Sequence, residues 1–327
     1  MPVTALTDGS GRRIDYLRLS LTDRCDLRCQ YCIPKGFHDF DAPAAWLTPT
    51  ELERTVSAFA ALGVRRVRLT GGEPLTRREV IEIATRIASL SGIEDLSLTT
   101  NGTRLGQYAA ALQRAGVRRL NISLDSLNSD CFREITGHDA LSGVLAGIES
   151  AIDEGFDLIK INMVVMAGIN ENETEAMVEY CMARGLVLRL IEPMPMGDSG
   201  RNVRPADLGA IRRRLQTRFD LVDGVVPGGG PARYQQSRDG QFSIGFITPM
   251  SQHFCATCNR VRLSAEGTLF TCLGQNDSFD LGHLIRTQAS QEDVMEAIRL
   301  ALMCKPERHD FNDAPGKVVR IMAKTGG

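Results

Sequence analysis

The chain has no surplus of charge of either sign: 38 Lys and Arg stand against 40 Asp and Glu, a net charge of -2. Nucleic-acid binding usually needs a basic excess, so no nucleic-acid partner is expected. Nowhere does the sequence approach the roughly 18 consecutive apolar residues of a membrane helix. The opening MPVTALTDGSGRRIDY lacks the apolar core of a secretory leader. The expected compartment is therefore the cytoplasm, with no membrane partner. Low-complexity tracts are absent, and no repeat is found beyond a strand–helix period. At 43% hydrophobic and 24% charged, the 327 residues suit a soluble globular protein built as a barrel-like domain with an appendage, or as two domains.

Nine cysteines are present, but not in a pattern of disulfide pairs. A chain of this length in a reducing compartment keeps its thiols free. Cys25, Cys29 and Cys32 form one group and Cys255, Cys258 and Cys272 a second. Cys131, Cys181 and Cys304 stand alone and read as small core residues. What each triplet lacks is a fourth cysteine. A structural zinc site wants four ligands to close its tetrahedron, and near the first triplet only His38 offers itself. A loop of the form Cys-x3-Cys-x2-Cys can instead hold a cubane [4Fe–4S] cluster by three irons and leave the fourth without a protein ligand. The second triplet, Cys-x2-Cys followed after thirteen intervening residues by Cys272, falls one ligand short in the same way.

From about residue 16 to 215, short strand-like runs alternate with helical patterns. Expected strands are Leu17–Leu21, Val64–Leu69, Leu96–Thr99, Leu120–Leu124, Leu158–Val165 and Leu186–Ile191, with helices starting after Thr50, Thr76 and Asn172. Gly63, Gly116, Gly155 and Gly185 follow the helices as C-terminal caps. Six strand–helix units imply a parallel sheet with right-handed crossovers. These strands alternate, however, where doubly covered parallel strands are normally apolar throughout. Leu17, Leu19 and Leu21 oppose Arg18, Ser20 and Thr22; Ile161 and Met163 oppose Lys160 and Asn162. In an open sheet covered on both faces, so many polar groups would be stranded. In a barrel the apolar face meets the helices while Arg18, Lys160 and their like look inward, toward a ligand. Six units make an incomplete barrel, shorter than the eight-unit form. After about residue 215 a Gly/Pro-rich stretch, VDGVVPGGGPARYQ, leads to short strands and one helix. The expected organisation is thus a partial barrel over 1–220 and a smaller C-terminal region over 221–327 that carries the second triplet and covers the open side.

The first triplet follows the first strand, at the end where parallel α/β proteins gather their active sites. With an aromatic residue, Tyr31, before its last cysteine, the loop resembles that of the radical S-adenosylmethionine superfamily. Thr70-Gly-Gly-Glu-Pro74 resembles that superfamily's glycine-rich turn, in which residues without Cβ let the backbone approach the methionyl amine. Two triplets at these spacings, Phe254-Cys-Ala-Thr-Cys-Asn-Arg260 and the final Gly326-Gly327 make the whole chain similar to the GTP 3′,8-cyclases, which open molybdenum cofactor (molybdopterin) biosynthesis.

The resemblance implies two [4Fe–4S] clusters and S-adenosylmethionine as cofactors, and GTP as substrate. The first cluster, on Cys25, Cys29 and Cys32, would yield a 5′-deoxyadenosyl radical that takes hydrogen from C3′ of the ribose. Bonding to C8 and reduction would then give 3′,8-cyclo-7,8-dihydro-GTP. The second cluster, on Cys255, Cys258 and Cys272, would bind guanine. Tyr31, Gly72, Ser123 and Met194 match contacts with S-adenosylmethionine. Arg18, Arg68, Thr99, Lys160 and the run Arg260-Val261-Arg262 match contacts with GTP, with Arg66 and Arg189 as further phosphate neighbours. Composition alone makes the C-terminal segment a frayed end. The resemblance places Gly326 and Gly327 beside the substrate as catalytic residues, with Arg189 as partner of the tail. A one-electron donor of flavodoxin or ferredoxin type, hand-over of product to the next molybdopterin-pathway enzyme and a homodimer complete the expectation. The rival reading is a radical enzyme that modifies a peptide.

Overall fold

Period-two alternation places successive side chains on opposite faces of a strand, and the architecture follows from which face meets helices. The computed structural model describes residues 5–40, 42–314, 316–318 and 320–326. Strand and helix alternate from the start: β1 (Tyr16–Ser20), α1 (Pro49–Ala61), β2 (Arg66–Thr70), α2 (Val80–Ala88), β3 (Asp95–Thr100), α3 (Leu105–Arg114) and β4 (Arg119–Ser123). Two helices, α4 (Ser129–Thr136) and α5 (Leu141–Asp153), precede β5 (Leu158–Val164), α6 (Thr174–Met182) and β6 (Val187–Ile191). Next come α7 (Gly197–Arg201), α8 (Leu208–Arg218), β7 (Leu221–Gly224), β8 (Arg233–Ser237), β9 (Ser243–Ile247), β10 (Arg260–Leu263), β11 (Thr268–Phe270) and β12 (Ser278–Asp280). The chain closes with α9 (Leu281–Arg286), α10 (Gln291–Met303) and α11 (Met322–Thr325).

β1 to β6 pair in sequence order, all parallel, as six strand–helix units of an incomplete barrel. The C-terminal region covers the open side by lengthening this sheet at both edges. β9 adds in parallel to β6, and β10 adds in parallel to β1. The hairpin partners β8 and β7 continue one edge antiparallel, β11 and β12 the other, giving a single twelve-stranded sheet. Leu17, Leu19, Val67, Leu69, Leu98, Ile122 and Ile161 are fully buried in one apolar core beneath the helices. The opposite parity faces the barrel interior.

Helix starts differ from the sequence expectation by a few residues, each for a local reason. α1 is capped by Thr48 rather than Thr50. The Thr48 hydroxyl accepts from the Glu51 amide at 3.3 Å, the Glu51 carboxylate accepts from the Thr48 amide at 2.7 Å, and Pro49 fills the first helical position. Pro74 holds Thr76 in a short 3₁₀ turn (Pro74–Thr76), so α2 begins only at Val80. Asn172 lies in another such turn, Glu171–Glu173, before α6. Of the single cysteines, Cys181 is buried in the core, but Cys131 is half-buried and Cys304 exposed. Cys304 follows the outer face of α10, where Leu300 and Met303 are exposed too, while Val294, Ile298 and Ala301 supply the packed face.

Candidate active site

The loop carrying Cys25, Cys29 and Cys32 leaves the end of β1 and is fixed from three sides. Buried Arg77 donates to the Leu21 carbonyl at 2.8 Å and to the Leu47 carbonyl at 2.6 Å. The Arg28 and Gln30 amides reach the Thr136 and Ile135 carbonyls at the end of α4. The glycine turn after β2 backs onto the same loop: the Gly72 amide donates to the Thr22 carbonyl at 2.7 Å and the Glu73 amide to the Arg24 carbonyl at 2.7 Å. A Cβ at Gly72 would lie 2.2 Å from the Arg24 carbonyl oxygen. The turn therefore needs glycine to meet the cysteine loop itself, a reason that precedes any approach to a ligand. Buried Glu73 accepts from the Leu75 amide, the Thr100 hydroxyl and the Asn101 amide, and burial pushes its carboxyl up to about 7.

Burial raises all three thiols. Cys25 is pushed further by Glu73 and Cys29 by Asp125, while Cys32 reaches about 12. Such thiols become thiolates only against a positively charged occupant. Among the described residues no three His, Cys, Asp or Glu side chains converge on a point where a single ion would sit. Cysteines sharing a cubane each bind a different iron and need not converge, so the donor set fits a cluster. Tyr31, Gly72, Ser123 and Met194 line the cavity onto which these cysteines open. Tyr31 donates to Asp125 at 2.7 Å, and Asp125, pushed up to about 6 by burial, also accepts from the Val164 amide.

Further into the barrel, strand register assembles cations. Arg262 on β10 pairs with Arg18 on β1, and Arg18 with Arg68 on β2, so three guanidiniums stand abreast on neighbouring strands. Burial and then Arg262 and Arg68 push Arg18 well below the usual guanidinium value. Burial likewise lowers Arg262 to about 9, Arg189 to about 10 and Lys160 to about 7. Among the described residues none of these side chains, nor Arg68, ion-pairs with a carboxylate; Lys160 donates only to the Tyr234 hydroxyl at 3.1 Å and the Pro227 carbonyl at 3.4 Å. The Nε atoms of Arg18 and Arg260 and the hydroxyl of Thr99 are buried without a hydrogen-bond partner among the described residues. Cations so placed are balanced by an anion with several oxygens.

Not every expected contact joins them. Arg66 is half-exposed and ion-paired with Asp15 at 2.7 Å. Val261 takes the opposite parity of β10 and is buried in the apolar core, so only Arg260 and Arg262 of that run present side chains to the cavity. Arg189 lines the cavity and donates to Asn162 at 2.8 Å and to Asn121. Within the described part of the tail, the carbonyls of Thr325 and Gly326 accept from Arg262. Gly326 has φ +70°, and a Cβ there would lie 2.3 Å from the Thr70 methyl. Gly327 lies outside the described residues.

Cys255 and Cys258 bracket a short turn before β10, and Cys272 follows β11. All six cysteines of the two triplets line the same cavity as Arg18, Arg68, Arg189, Arg260 and Arg262. The second triplet has the opposite electrostatics to the first. Burial opposes it, yet Lys305 and Arg260 bring the Cys258 thiol below its ordinary value. Lys305 also works against the rise that burial imposes on Cys272.

Sequence reasoning missed Tyr16, Arg119 and Lys305. Tyr16 and Arg119 share the inward parity of Arg18 and Asn121, but the expected strands began one residue later, at the first leucine. Arg119 lines a smaller adjoining cavity with Arg68, Lys160, Arg189 and the triglycine loop between β7 and β8. It pairs with Asp95 at 2.9 Å and reaches the Pro227 carbonyl. No local signal marks Lys305, which the end of α10 delivers to the second triplet.

Residues 19–181 match the family model of the Radical SAM superfamily, and residues 186–311 match Molybdenum Cofactor Synthesis C. A GTP 3′,8-cyclase of Ectopseudomonas mendocina is 45% identical, with 100% of both chains covered. GTP 3′,8-cyclase 1 of Pseudomonas aeruginosa is 46% identical over 99% of this chain and 100% of that one. Among solved structures, Streptococcus suis SuiB bound to S-adenosylmethionine superposes with a TM-score of 0.63 at 15% identity, covering 89% of this chain and 72% of that one, a likeness of fold. With two cysteine triplets on one cation-lined cavity and this full-length likeness, the chain belongs to the GTP 3′,8-cyclase family of the radical S-adenosylmethionine superfamily.

Proposed function

We propose that this chain converts GTP to (8S)-3′,8-cyclo-7,8-dihydroguanosine 5′-triphosphate, the first step of molybdenum cofactor biosynthesis. The observation that carries this reading is a single cavity lined by both cysteine triplets and by arginines that, among the described residues, no carboxylate neutralises. When bound, two [4Fe–4S] clusters and S-adenosylmethionine supply one-electron carbon–sulfur cleavage, hydrogen abstraction and a Lewis-acidic iron.

The protein's own part is to hold and orient. Cys25, Cys29 and Cys32 carry the first cluster, with Gly72, Ser123, Met194 and Tyr31 around S-adenosylmethionine. The Tyr31–Asp125 hydrogen bond anchors that ring, and with it the cluster loop, to the segment that follows β4. Arg18, Arg68, Lys160, Arg260 and Arg262 grip the triphosphate, joined by the free hydroxyl of Thr99 and, at longer range, by Arg66 and Arg189. Cys255, Cys258 and Cys272 carry the second cluster at the guanine end. Pinning both ends of the nucleotide sets C3′ and C8 in one geometry, so that a ring forms rather than a quenched radical. Gly326, whose carbonyl accepts from Arg262, lines the substrate from the tail. In this division residues 1–220 handle S-adenosylmethionine and most of the triphosphate, and residues 221–327 handle the base. A flavodoxin- or ferredoxin-type reductant, a homodimeric state, cytoplasmic residence and hand-over of the product to the next pathway enzyme belong to the same proposal. No helix among the described residues is long and apolar enough to cross a membrane.

A peptide-modifying activity is not favoured. The Streptococcus suis protein was also solved with a precursor peptide, but at 15% identity it carries an argument about fold alone. The deciding experiment is anaerobic reconstitution with iron and sulfide, then incubation with S-adenosylmethionine, GTP and dithionite. Formation of 5′-deoxyadenosine together with a cyclised nucleotide is expected; absence of both sinks the assignment.

A further inference from the structure

Lys305 is only 5% exposed, yet among the described residues it has no carboxylate partner. Its ammonium donates to the Arg260 carbonyl at 3.2 Å and to the Thr271 carbonyl, beside Cys258 and Cys272 respectively. A buried ammonium satisfied only by carbonyls is costly unless an anion lies close. Two further cations grip the same cysteine loops. Arg12, held by Asp8 at 2.7 Å, donates to the Cys255 carbonyl at 2.9 Å and to the Pro306 carbonyl at 2.6 Å. Arg320 donates to the carbonyls of Cys272 at 3.1 Å and Leu273 at 2.6 Å. These residues come from the N-terminal turn, the end of α10 and the segment before α11, so the convergence is tertiary.

The first triplet is surrounded differently. Its buried neighbours are the carboxyl groups of Glu73 and Asp125. Arg28 donates to the Cys25 carbonyl at 2.6 Å, but it is partly exposed and spreads over the Phe40 ring. A cluster on three thiolates is anionic, and reduction adds one more negative charge. Nearby cations favour the reduced form and nearby carboxylates oppose it.

We propose that Lys305 is the charge-compensating residue of the second cluster and, with Arg12 and Arg320, holds that cluster at a higher reduction potential than the first. Lys305 is a positioning residue, acting through the cluster rather than on the nucleotide. The proposal rests on the reading that Cys255, Cys258 and Cys272 carry a cluster.

The test is an EPR-monitored redox titration of the reconstituted full-length protein, with Lys305→Met and Lys305→Arg alongside. Iron in the unmutated protein is counted first: about four irons instead of about eight would remove the second cluster itself. That outcome overturns the underlying reading and is separate from any shift in potential. With both clusters present, the second-cluster signal is expected to titrate above the first. Lys305→Met should move it to more negative potential while the first stays in place, and Lys305→Arg should restore it. Loss of the second cluster in Lys305→Met but not in Lys305→Arg supports the same role, since charge is what the two variants do not share. An unchanged second-cluster potential in Lys305→Met, or loss of that cluster in both variants, overturns the proposal. So does weaker GTP binding with the potential unmoved, which would make Lys305 a substrate contact.

Discussion

Arg18 and Arg262 are neighbours on paired parallel strands, although one lies near the beginning of the chain and the other near its end. Arg68 flanks Arg18 from the other side. Three guanidiniums abreast, that of Arg262 buried and those of Arg18 and Arg68 half-buried, repel one another until an anion separates them, so the ligand-free fold bears a strain that binding relieves.

Arg18→Met should therefore stabilise the ligand-free protein, by roughly 1–2 kcal/mol, while weakening GTP. Charge-assisted phosphate contacts are worth roughly 1.5–3 kcal/mol each, so GTP affinity should fall about tenfold or more, and guanosine affinity much less. Thermal denaturation and ligand titration on one preparation measure both. A destabilised variant, or equal losses for GTP and guanosine, would assign Arg18 to the fold or to the base.

Lys160 predicts a pH dependence. Burial, then Arg189 and Arg119, lower its ammonium to about 7 from an ordinary 10.5. Between those values the unfolded chain holds a proton that the folded chain has lost, so ligand-free stability rises with pH across that window. A bound triphosphate favours the charged form and reverses the shift. GTP binding at pH 8.5 should take up close to one proton and weaken as pH rises above 7. Calorimetry in buffers of different ionisation enthalpy reads the uptake, which Lys160→Arg should abolish. Undiminished uptake in that variant would place the titrating group elsewhere.

Gly326 predicts a steric effect. Its φ of +70° and the 2.3 Å approach to the Thr70 methyl leave no room for a side chain. Gly326→Ala should displace the tail from Arg262, at a local cost of about 1–2 kcal/mol. Formation of 5′-deoxyadenosine should persist while cyclised nucleotide falls severalfold, and adding Thr70→Ser should recover part of it. Equal loss of both products would mean that the tail supports the cluster region instead.

Gly72 and the cysteines predict a division of iron. A methyl at Gly72 overlaps the Arg24 carbonyl, so Gly72→Ala should push the first cysteine loop out of place. It should resemble Cys29→Ser: reconstituted iron falls from about eight to about four, and 5′-deoxyadenosine is lost. Cys258→Ser should lose the other half and retain cofactor cleavage without cyclisation. Identical spectra for the remaining cluster in Cys29→Ser and Cys258→Ser would refute two separate sites.

Much of this site is written in local pattern. A period of two along Tyr16–Ser20, Arg66–Thr70 and Leu158–Val164 is enough to point Arg18, Arg68 and Lys160 away from the helices, because parity is a property of a single strand. The shortfall of one cysteine in each triplet is equally local, and it already argues for an open iron. The tertiary structure decided what parity cannot see. Arg18 and Arg262 meet only because β10 pairs with β1, a register set by packing between distant segments. Arg66 has the inward parity yet is neutralised by Asp15, and Val261, within a promising run, faces the core. The carbonyls of Thr325 and Gly326 meet Arg262, while Arg189 holds Asn121 and Asn162, an allocation that no local pattern gives. Lys305 had no sequence signal at all: a lysine after an amphipathic helix is ordinarily solvated, and only the packing of α10 brings its ammonium to the second triplet.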